Sequence, residues 1–539
     1  MKGSKNKVLT DDELLRMLES DAIFSSEEEF VGDSDNDYLA NDNENDNITN
    51  SDDEDEVEIS DVLTNSTPIW LTDPPNVNHI EYTATPGLKL LPESDRPIDY
   101  FNFLFTDELL DLLVEETNAY ALEFFFKTSH QNARISNWVD TNKLEMKTFL
   151  SLAFHMGTIK LNRLEDYWKT SKLFNIPFFQ ENMSRNRFML LFQALHFSRN
   201  PQEGEVAPLN RLHKIQPLIN YFNSKMEEIY EPSKNLSIDE SMVLWRGRLI
   251  FRQYIKNKKH KYGVKMYMLA EPWGLIHRVL VYSGQGYDVS NNMCHTEYVV
   301  EKLMVGLFYK GRSLYMDNFY NSVQLSQKML KKLTYTTGTL RSNRKNNPKD
   351  VINKKLKKGE SISMYTEDGI CIVKWKDKRD VLMISSEFPH SMCEVNTIRE
   401  IKEKPISVVK YNENMSDIDR QDQMTSYYPF ERKSLRWYKK IGFHFLHLLL
   451  INSYFLYNKH VKKMSLYEYR LSIIQDLLPS DENIVNTAHK TKKPDNFHLP
   501  KKVLKNEKKM YLYKRCKICY DKGIYDWSFI CNCYKAAIS

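Results

Sequence analysis

LSIDESMVLWRGRLIFRQYIKNKKHKY, residues 236–262, opens with an apolar, strand-like approach to the acidic pair Asp239-Glu240. From Ser241 to Ala270 the chain then carries no Asp or Glu, but eight basic residues: Arg246, Arg248, Arg252, Lys256, Lys258, Lys259, Lys261 and Lys265. A carboxylate at a strand end can hold a divalent cation, and a basic ribbon beside it can hold phosphates. Enzymes that cut or join nucleic acid with metal ions need that juxtaposition. The same residues also read as an ordinary surface Asp followed by a solvated basic loop.

Working outward, strands are expected at Leu236–Asp239, Tyr262–Leu269 and Ile276–Tyr282, and a helix at His295–Tyr309. A strand at Ser313–Asp317, a helix at Val323–Lys332 and a strand at Thr334–Leu340 follow. That element order is the order of a ribonuclease-H-like core, a mixed sheet with helices on its faces. Before it, the segment from Thr106, a natural N-cap, and those at Lys143–Met156, Leu161–Trp168, Ser184–Leu195 and Ile215–Ile229 have helical spacing. After it, residues 341–405 break the alternation with a lysine-rich stretch and short strand-like pieces at Gly369–Trp375 and Val381–Ser385, as an insertion would. The apolar run Ile441–Tyr457 carries His444, His447, Asn452 and Ser453, and is short for a membrane span, so it reads as a buried core helix.

At 539 residues the chain exceeds one ordinary core, and a 41% hydrophobic content supplies several. Its net charge of +3 conceals an asymmetry. Residues 1–62 hold 21 acidic and 4 basic residues, leaving 71 basic and 51 acidic for the rest of the chain. A basic body with an acidic tail suits a polyanion ligand, although the tail could equally serve solubility alone. Residues 1–95 are poor in apolar side chains and read as disordered, with a possible short helix at Asp11–Leu18. Of seven cysteines, Cys294, Cys371 and Cys393 are scattered and four crowd the end, which favours a reduced, intracellular setting and a terminal metal site. The polar N-terminus has no apolar signal region.

Three acidic points then stand together. Asp239 and Asp317 each end an expected strand, and Asp419 and Asp422 in SDIDRQDQM share one helical face. Carboxylates so placed can hold two magnesium ions for phosphodiester transfer without a covalent intermediate. Each Asp, taken alone, could be a cap or a surface group.

The blocks LSIDESMVLWRGR, YIKNKKHKYGVKMYML, LYMDNFYNS, TTGTLRSNRKNNPKDV, YNENMSDIDRQDQM and RKSLRWYKKIGFHFLHLLLINSYFLY resemble those of the piggyBac-family transposases, in the family's order and approximate spacing. The resemblance runs from about residue 97 to the end. It implies a catalytic set of Asp239, Asp317 and Asp419, with Asp422 as a fourth metal-binding position, and a tryptophan, Trp437, near the active site and among the DNA-binding residues. It also implies a two-metal magnesium site, a homodimer, a nuclear location, and double-stranded DNA as partner. Members of the family cut at transposon ends through a hairpin and join them at TTAA targets. Arg341, Arg344 and Lys345, like the Arg246–Lys265 ribbon, would contact DNA backbone.

The architecture so implied is α/β and multidomain. It comprises a disordered acidic tail (1–95), a helical dimerisation and DNA-binding domain (96–234 and 430–486), and a ribonuclease-H-like core (235–340 and 406–429) split by an insertion domain (341–405). A basic linker (487–514) and a shortened Cys-rich segment (515–539) complete it. In that last segment Cys516, Cys519, Cys531 and Cys533 allow a zinc site, yet the family's usual ending has more cysteines and a histidine, so a tail that does not fold remains the competing reading. The functional alternatives are a domesticated or partly decayed derivative that binds DNA without transposing, and a metal-dependent nuclease without strand transfer.

Overall fold

The computed structural model describes residues 68–127, 138–201, 208–255, 261–284, 293–396, 401–431 and 434–479, together with 135, 205, 206 and two short strands near the end. The tail 1–67, the linker 487–514 and the Cys516, Cys519 and Cys533 positions lie outside the described residues, apart from the backbone of the paired strands Pro500–Lys502 and Phe529–Cys531.

Helices α1 (Pro97–Leu104), α2 (Asp107–Lys127), α3 (Lys143–Thr158), α4 (Pro177–Asn182), α5 (Arg185–Ala194) and α6 (Gln216–Ile229) precede the main sheet. Proline opens α1, where a missing N–H costs nothing, and Asn142 and Ser184 cap α3 and α5 by accepting from the third residue's amide. Leu161–Trp168, expected as an α-helix, is instead a short 3-10 helix at Leu164–Trp168. The Tyr167 hydroxyl there lies on the Leu161 amide and the Ile159 carbonyl, so the chain turns where another helical turn would have to form.

The sheet is built on β4 (Asn235–Leu244), with β6 (Tyr262–Ala270) antiparallel on one side and β8 (Arg312–Met316) parallel on the other. Beyond β6 lies β7 (Ile276–Val281), antiparallel; beyond β8 lies β9 (Thr334–Thr339), parallel. Two helices serve as crossovers: α7 (His295–Leu303) packs on β6 and β7, and α8 (Val323–Lys331) packs on β9. The five strands thus stand in the order β7-β6-β4-β8-β9, a mixed sheet. β4 is longer than its apolar start suggested, because its pairing with β6 continues through Asp239 and Glu240 to Leu244; the two-residue β5 (Gln253–Tyr254) then pairs with the first two residues of β6.

The insertion is continuous with this sheet. Its meander β10 (Ser361–Thr366), β11 (Cys371–Lys376) and β12 (Asp380–Ser385) attaches through β12, which runs antiparallel to β9. A small apolar cluster of Val323, Leu340, Val351, Ile370, Ile372 and Ile384 backs it.

Residues 68–95 overturn the expectation of disorder up to residue 95. They form a strap along the molecule. β1 (Trp70–Leu71) pairs with β10 at the far edge of the sheet, and β2 (Gly87–Leu88) pairs with β3 (Tyr230–Glu231). In between, the Ile80 amide donates to the Tyr335 hydroxyl, the Thr83 amide to the Lys310 carbonyl, and the Tyr82 hydroxyl to the Pro232 carbonyl. Composition missed this because a strap held by backbone bonds at scattered points needs few apolar residues.

After the insertion come α10 (Ile406–Asn414), preceded by the five-residue α9 (Lys349–Asn353), then α11 (Asp417–Tyr427), α12 (Trp437–His460) and α13 (Leu466–Asp476). α12 is buried along nearly its whole length, packed between α1, α6 and β4. Gly442 lets the Phe197 ring lie directly on its backbone; a Cβ there would overlap the ring. The Asn452 amide donates to the Ile276 carbonyl and accepts from the Ile276 amide, splicing the helix to β7. Among the described residues no helix is long and apolar enough to cross a membrane.

Candidate active site at the ends of the central strands

Alternation along β4 puts Ser237, Asp239 and Ser241 on one face. α11 lies across that face. The Ser237 hydroxyl donates to Asp417 Oδ2 (3.5 Å) and the Ser241 hydroxyl to Asp422 Oδ1 (2.5 Å), so the helix is tied to β4 on either side of Asp239. Asp419 lies between the two ties in sequence, exposed, in the first turn of α11, where the helix dipole favours a carboxylate.

Asp317 arrives from the next strand. The parallel register of β4 and β8 ends at Ile238 opposite Met316, so Asp239 and Asp317 are the first residues beyond it on neighbouring strands. This is the carboxyl end of two parallel strands, where open α/β sheets gather their sites. The Asp317 carboxylate accepts from the Phe319 amide at 2.9 Å, and the Asn321 side chain laces the Met316, Asp317 and Thr339 carbonyls together. Gly338 is required for this, since a Cβ would overlap the Met316 carbonyl.

The three aspartates share one neighbour on which their charges act. Burial, and then the charges of Asp317, Asp239 and Asp419, raise the pKa of the Tyr411 hydroxyl, which also takes a hydrogen bond with Thr339. Asp317 itself is pushed up to about 6, first by burial and then by Glu240; Arg341 and Lys265 act in the opposite direction. A cation beside this pair would relieve the like charge of Glu240. The donors are carboxylate oxygens, which suit a hard divalent cation, so the residues fit such a group in kind. They do not form a closed cage, because among the described residues no three acidic, His or Cys side chains stand ready to hold one ion.

Two acidic residues not expected as site residues from the sequence belong to this corner. Glu240 neighbours Asp317, although strand alternation assigns it to the opposite face from Asp239 and so gives no hint of that proximity. Asp417 is wholly buried, and burial pushes its carboxyl up to about 7. Asp417 Oδ1 and both polar atoms of the neighbouring buried Gln421 find no hydrogen-bond partner among the described residues. Only Tyr411 could have been found by periodicity, as a position of the helix before SDIDRQDQM.

The basic residues expected on DNA divide into groups. Arg246, Arg248, Lys261 and Lys345 are exposed. Lys256, Lys258 and Lys259 lie outside the described residues. Arg252 reaches back to the Arg246 and Gly247 carbonyls and braces its own loop. Arg344 donates to the Phe319 carbonyl at 2.5 Å, and Arg341 to Asn318 Oδ1 at 3.4 Å, so both clasp the loop that carries Asp317. Lys265 and Trp437 depart from the expectation of surface contact: they are only 3% and 4% exposed. β6 is an interior strand at Lys265, and the Trp437 ring meets Phe251 edge to face at the start of α12, its indole N–H without a partner among the described residues.

The model of the family described as Transposase IS4 matches residues 96–454. The human PiggyBac transposable element-derived protein 3 is 25% identical over 397 residues, covering 70% of this chain and 64% of that protein. The human PiggyBac transposable element-derived protein 2 is 24% identical over 373 residues, covering 64% and 59%. The chain thus spans less than two-thirds of the length of these relatives. Among solved structures, a piggyBac transposase synaptic complex with hairpin DNA, determined by cryo-EM, matches with a TM-score of 0.64 and 25% identity over 79% of this chain and 90% of that one.

Proposed function

The chain belongs to the Transposase IS4 family, among piggyBac relatives, and from that premise we propose that it is a DNA transposase. It would cut at transposon ends and transfer the ends into TTAA targets, with Asp239, Asp317 and Asp419 as catalytic residues and Asp422 beside them. The sheet order β7-β6-β4-β8-β9 then reads as a ribonuclease-H-like core, residues 341–405 as its insertion domain, and the two helical segments as a dimerisation and DNA-binding part. A nuclear homodimer acting on double-stranded DNA follows from the same reading. The single observation that supports it is that the charges of Asp317, Asp239 and Asp419, from β8, β4 and α11, all act on the Tyr411 hydroxyl.

Asp239, Asp317, Asp419 and Asp422 would hold magnesium. Bound there, the metal would supply Lewis-acid stabilisation of the attacking and leaving oxygens. The chain's own groups do the rest. Ser237 and Ser241 keep α11 in register over the strand that carries Asp239. The Phe319 amide and the Arg344 clasp hold the Asp317 loop. Exposed Arg246, Arg248, Lys261 and Lys345 offer positive charge to a DNA backbone, which gives affinity without sequence choice.

The test uses the full chain with magnesium, a duplex bearing transposon-end inverted repeats, and a TTAA-containing target. Cleavage and joining, both abolished by Asp239→Asn, are expected. Binding without cleavage would replace this reading with that of a derivative that only binds DNA, and cleavage without joining with that of a nuclease. Zinc at the Cys516–Cys533 cluster is measured separately by metal analysis of the purified chain.

A further inference from the structure

Lys265 comes from a ribbon of basic residues whose exposed members suit phosphate, yet it is buried on β6, opposite Met242 of β4. Its ammonium lies 4.3 Å from the centre of the Phe319 ring and 4.8 Å from that of Tyr267. Phe319 is the residue whose amide holds the Asp317 carboxylate, and Arg341 lies against the same ring at 5.8 Å. Tyr267 meets Tyr320 edge to face, and the buried Tyr320 hydroxyl is in the field of Glu240, Asp239 and Asp317. A buried ammonium is costly unless negative charge faces it. Here Asp317 is a carboxylate on which its charge acts, with the two aromatic faces completing the seat.

We propose that Lys265 is a positioning residue of the carboxylate site: its ammonium, seated between Phe319 and Tyr267, is a built-in counter-charge that steadies the Asp317 loop before any metal arrives, and it does not contact DNA phosphate. A divalent cation entering the corner works against this fixed positive charge, so the lysine also sets how tightly the metal is held. The inference rests on reading Asp239, Asp317 and Asp419 as ligands of a divalent cation.

The test is manganese binding to the full chain without DNA, followed by the loss of the free-ion signal in electron paramagnetic resonance. Lys265→Met is expected to tighten binding by about threefold to tenfold, the effect of removing one nearby positive charge in a partly screened site. Lys265→Arg, which keeps the charge, is expected to stay within about twofold of the unaltered protein. In parallel, the slope of log affinity against log salt for a duplex DNA should be unchanged in Lys265→Met, whereas loss of a phosphate contact would lower it by about 0.9. Unchanged or weaker manganese binding in Lys265→Met, or a reduced salt slope, overturns the proposal. Should Lys265→Met fail to fold, Lys265→Gln is read in the same way. Asp317→Asn separates the two levels. If it weakens manganese binding while Lys265→Met does not tighten it, only this inference falls. If the unaltered protein binds no manganese, or Asp317→Asn changes nothing, the carboxylate reading falls and takes this one with it.

Discussion

Glu271 shows how a single buried charge is held. It closes the turn between β6 and β7, wholly buried, and accepts from the Ser233 amide at 2.6 Å and from the Trp273 indole N–H. Burial alone would raise its carboxyl; His277 beside it, the Ser233 amide and Lys459 overcome that and bring it down to about 2. Because the folded value lies below the unfolded one, this contribution is complete above about pH 4.5 and is lost as pH falls toward 2. It amounts to about 3 kcal/mol at neutral pH. In urea unfolding, the stability gap between the protein and Glu271→Gln should narrow by about 1–2 kcal/mol between pH 7 and about pH 3.5. A pH-independent gap would mean that the carboxylate is not held ionised by its neighbours. The places of Asp317 after a strand and of Asp419 at the start of a helix were legible because the period of those elements can be read, whereas Asp239, expected at a strand end, lies within β4. The burial of Lys265 was not legible, because a charge in a sequence carries no depth, and a lysine on an interior strand is spelled like one on a loop.

At the scale of elements, α11 and α12 carry the most testable consequences. α11 is tied to β4 by two serine hydroxyls, so Ser237→Ala with Ser241→Ala frees it on both sides of Asp239. Under the proposed function, transposon-end cleavage in this double variant should fall by about 10- to 100-fold while DNA affinity holds, since misplacement of reacting groups by a fraction of an ångström acts on rate. Single-turnover cleavage and filter binding measure the two. α12 is held closely enough that one methyl group should register. Gly442→Ala forces the Phe197 ring off the helix and should cost about 1–3 kcal/mol, read from denaturant midpoints. The long apolar run made α12 legible, and alternation placed the central strands. The last half of β4 was not legible, because Asp239-Glu240 interrupts the apolar pattern just where the strand continues; its partner β6 supplies the hydrogen bonds that override that interruption.

The whole molecule is bound by the strap of residues 68–95, which joins the far edge of the sheet to the helical part. Where it crosses the foot of β8, the Glu81 carbonyl lies on Gly311, whose positive φ of 69° already excludes most side chains. Gly311→Ala would therefore both strain the backbone and push the strap away, at a cost of about 1–3 kcal/mol, and should expose residues 68–95 to limited proteolysis. Resistance equal to that of the unaltered chain would show that the strap is not seated there. The acidic run ends before this segment, but its attachment is not legible in composition, because its hydrogen-bond partners Pro232 and Tyr335 lie 150 and 255 positions away.

The sheet grows outward from β9 through β12, β11 and β10, and its last hydrogen-bonding row is met by only two residues, Trp70 and Leu71. Added strands of this kind attach through β12 alone and leave the inner register of β4, β8 and β9 as it is. The growing margin, however, presents bare amides and carbonyls that would recruit a strand from another copy. Trp70 and Leu71 act as a selvedge, closing the weave where it would otherwise fray into its neighbours.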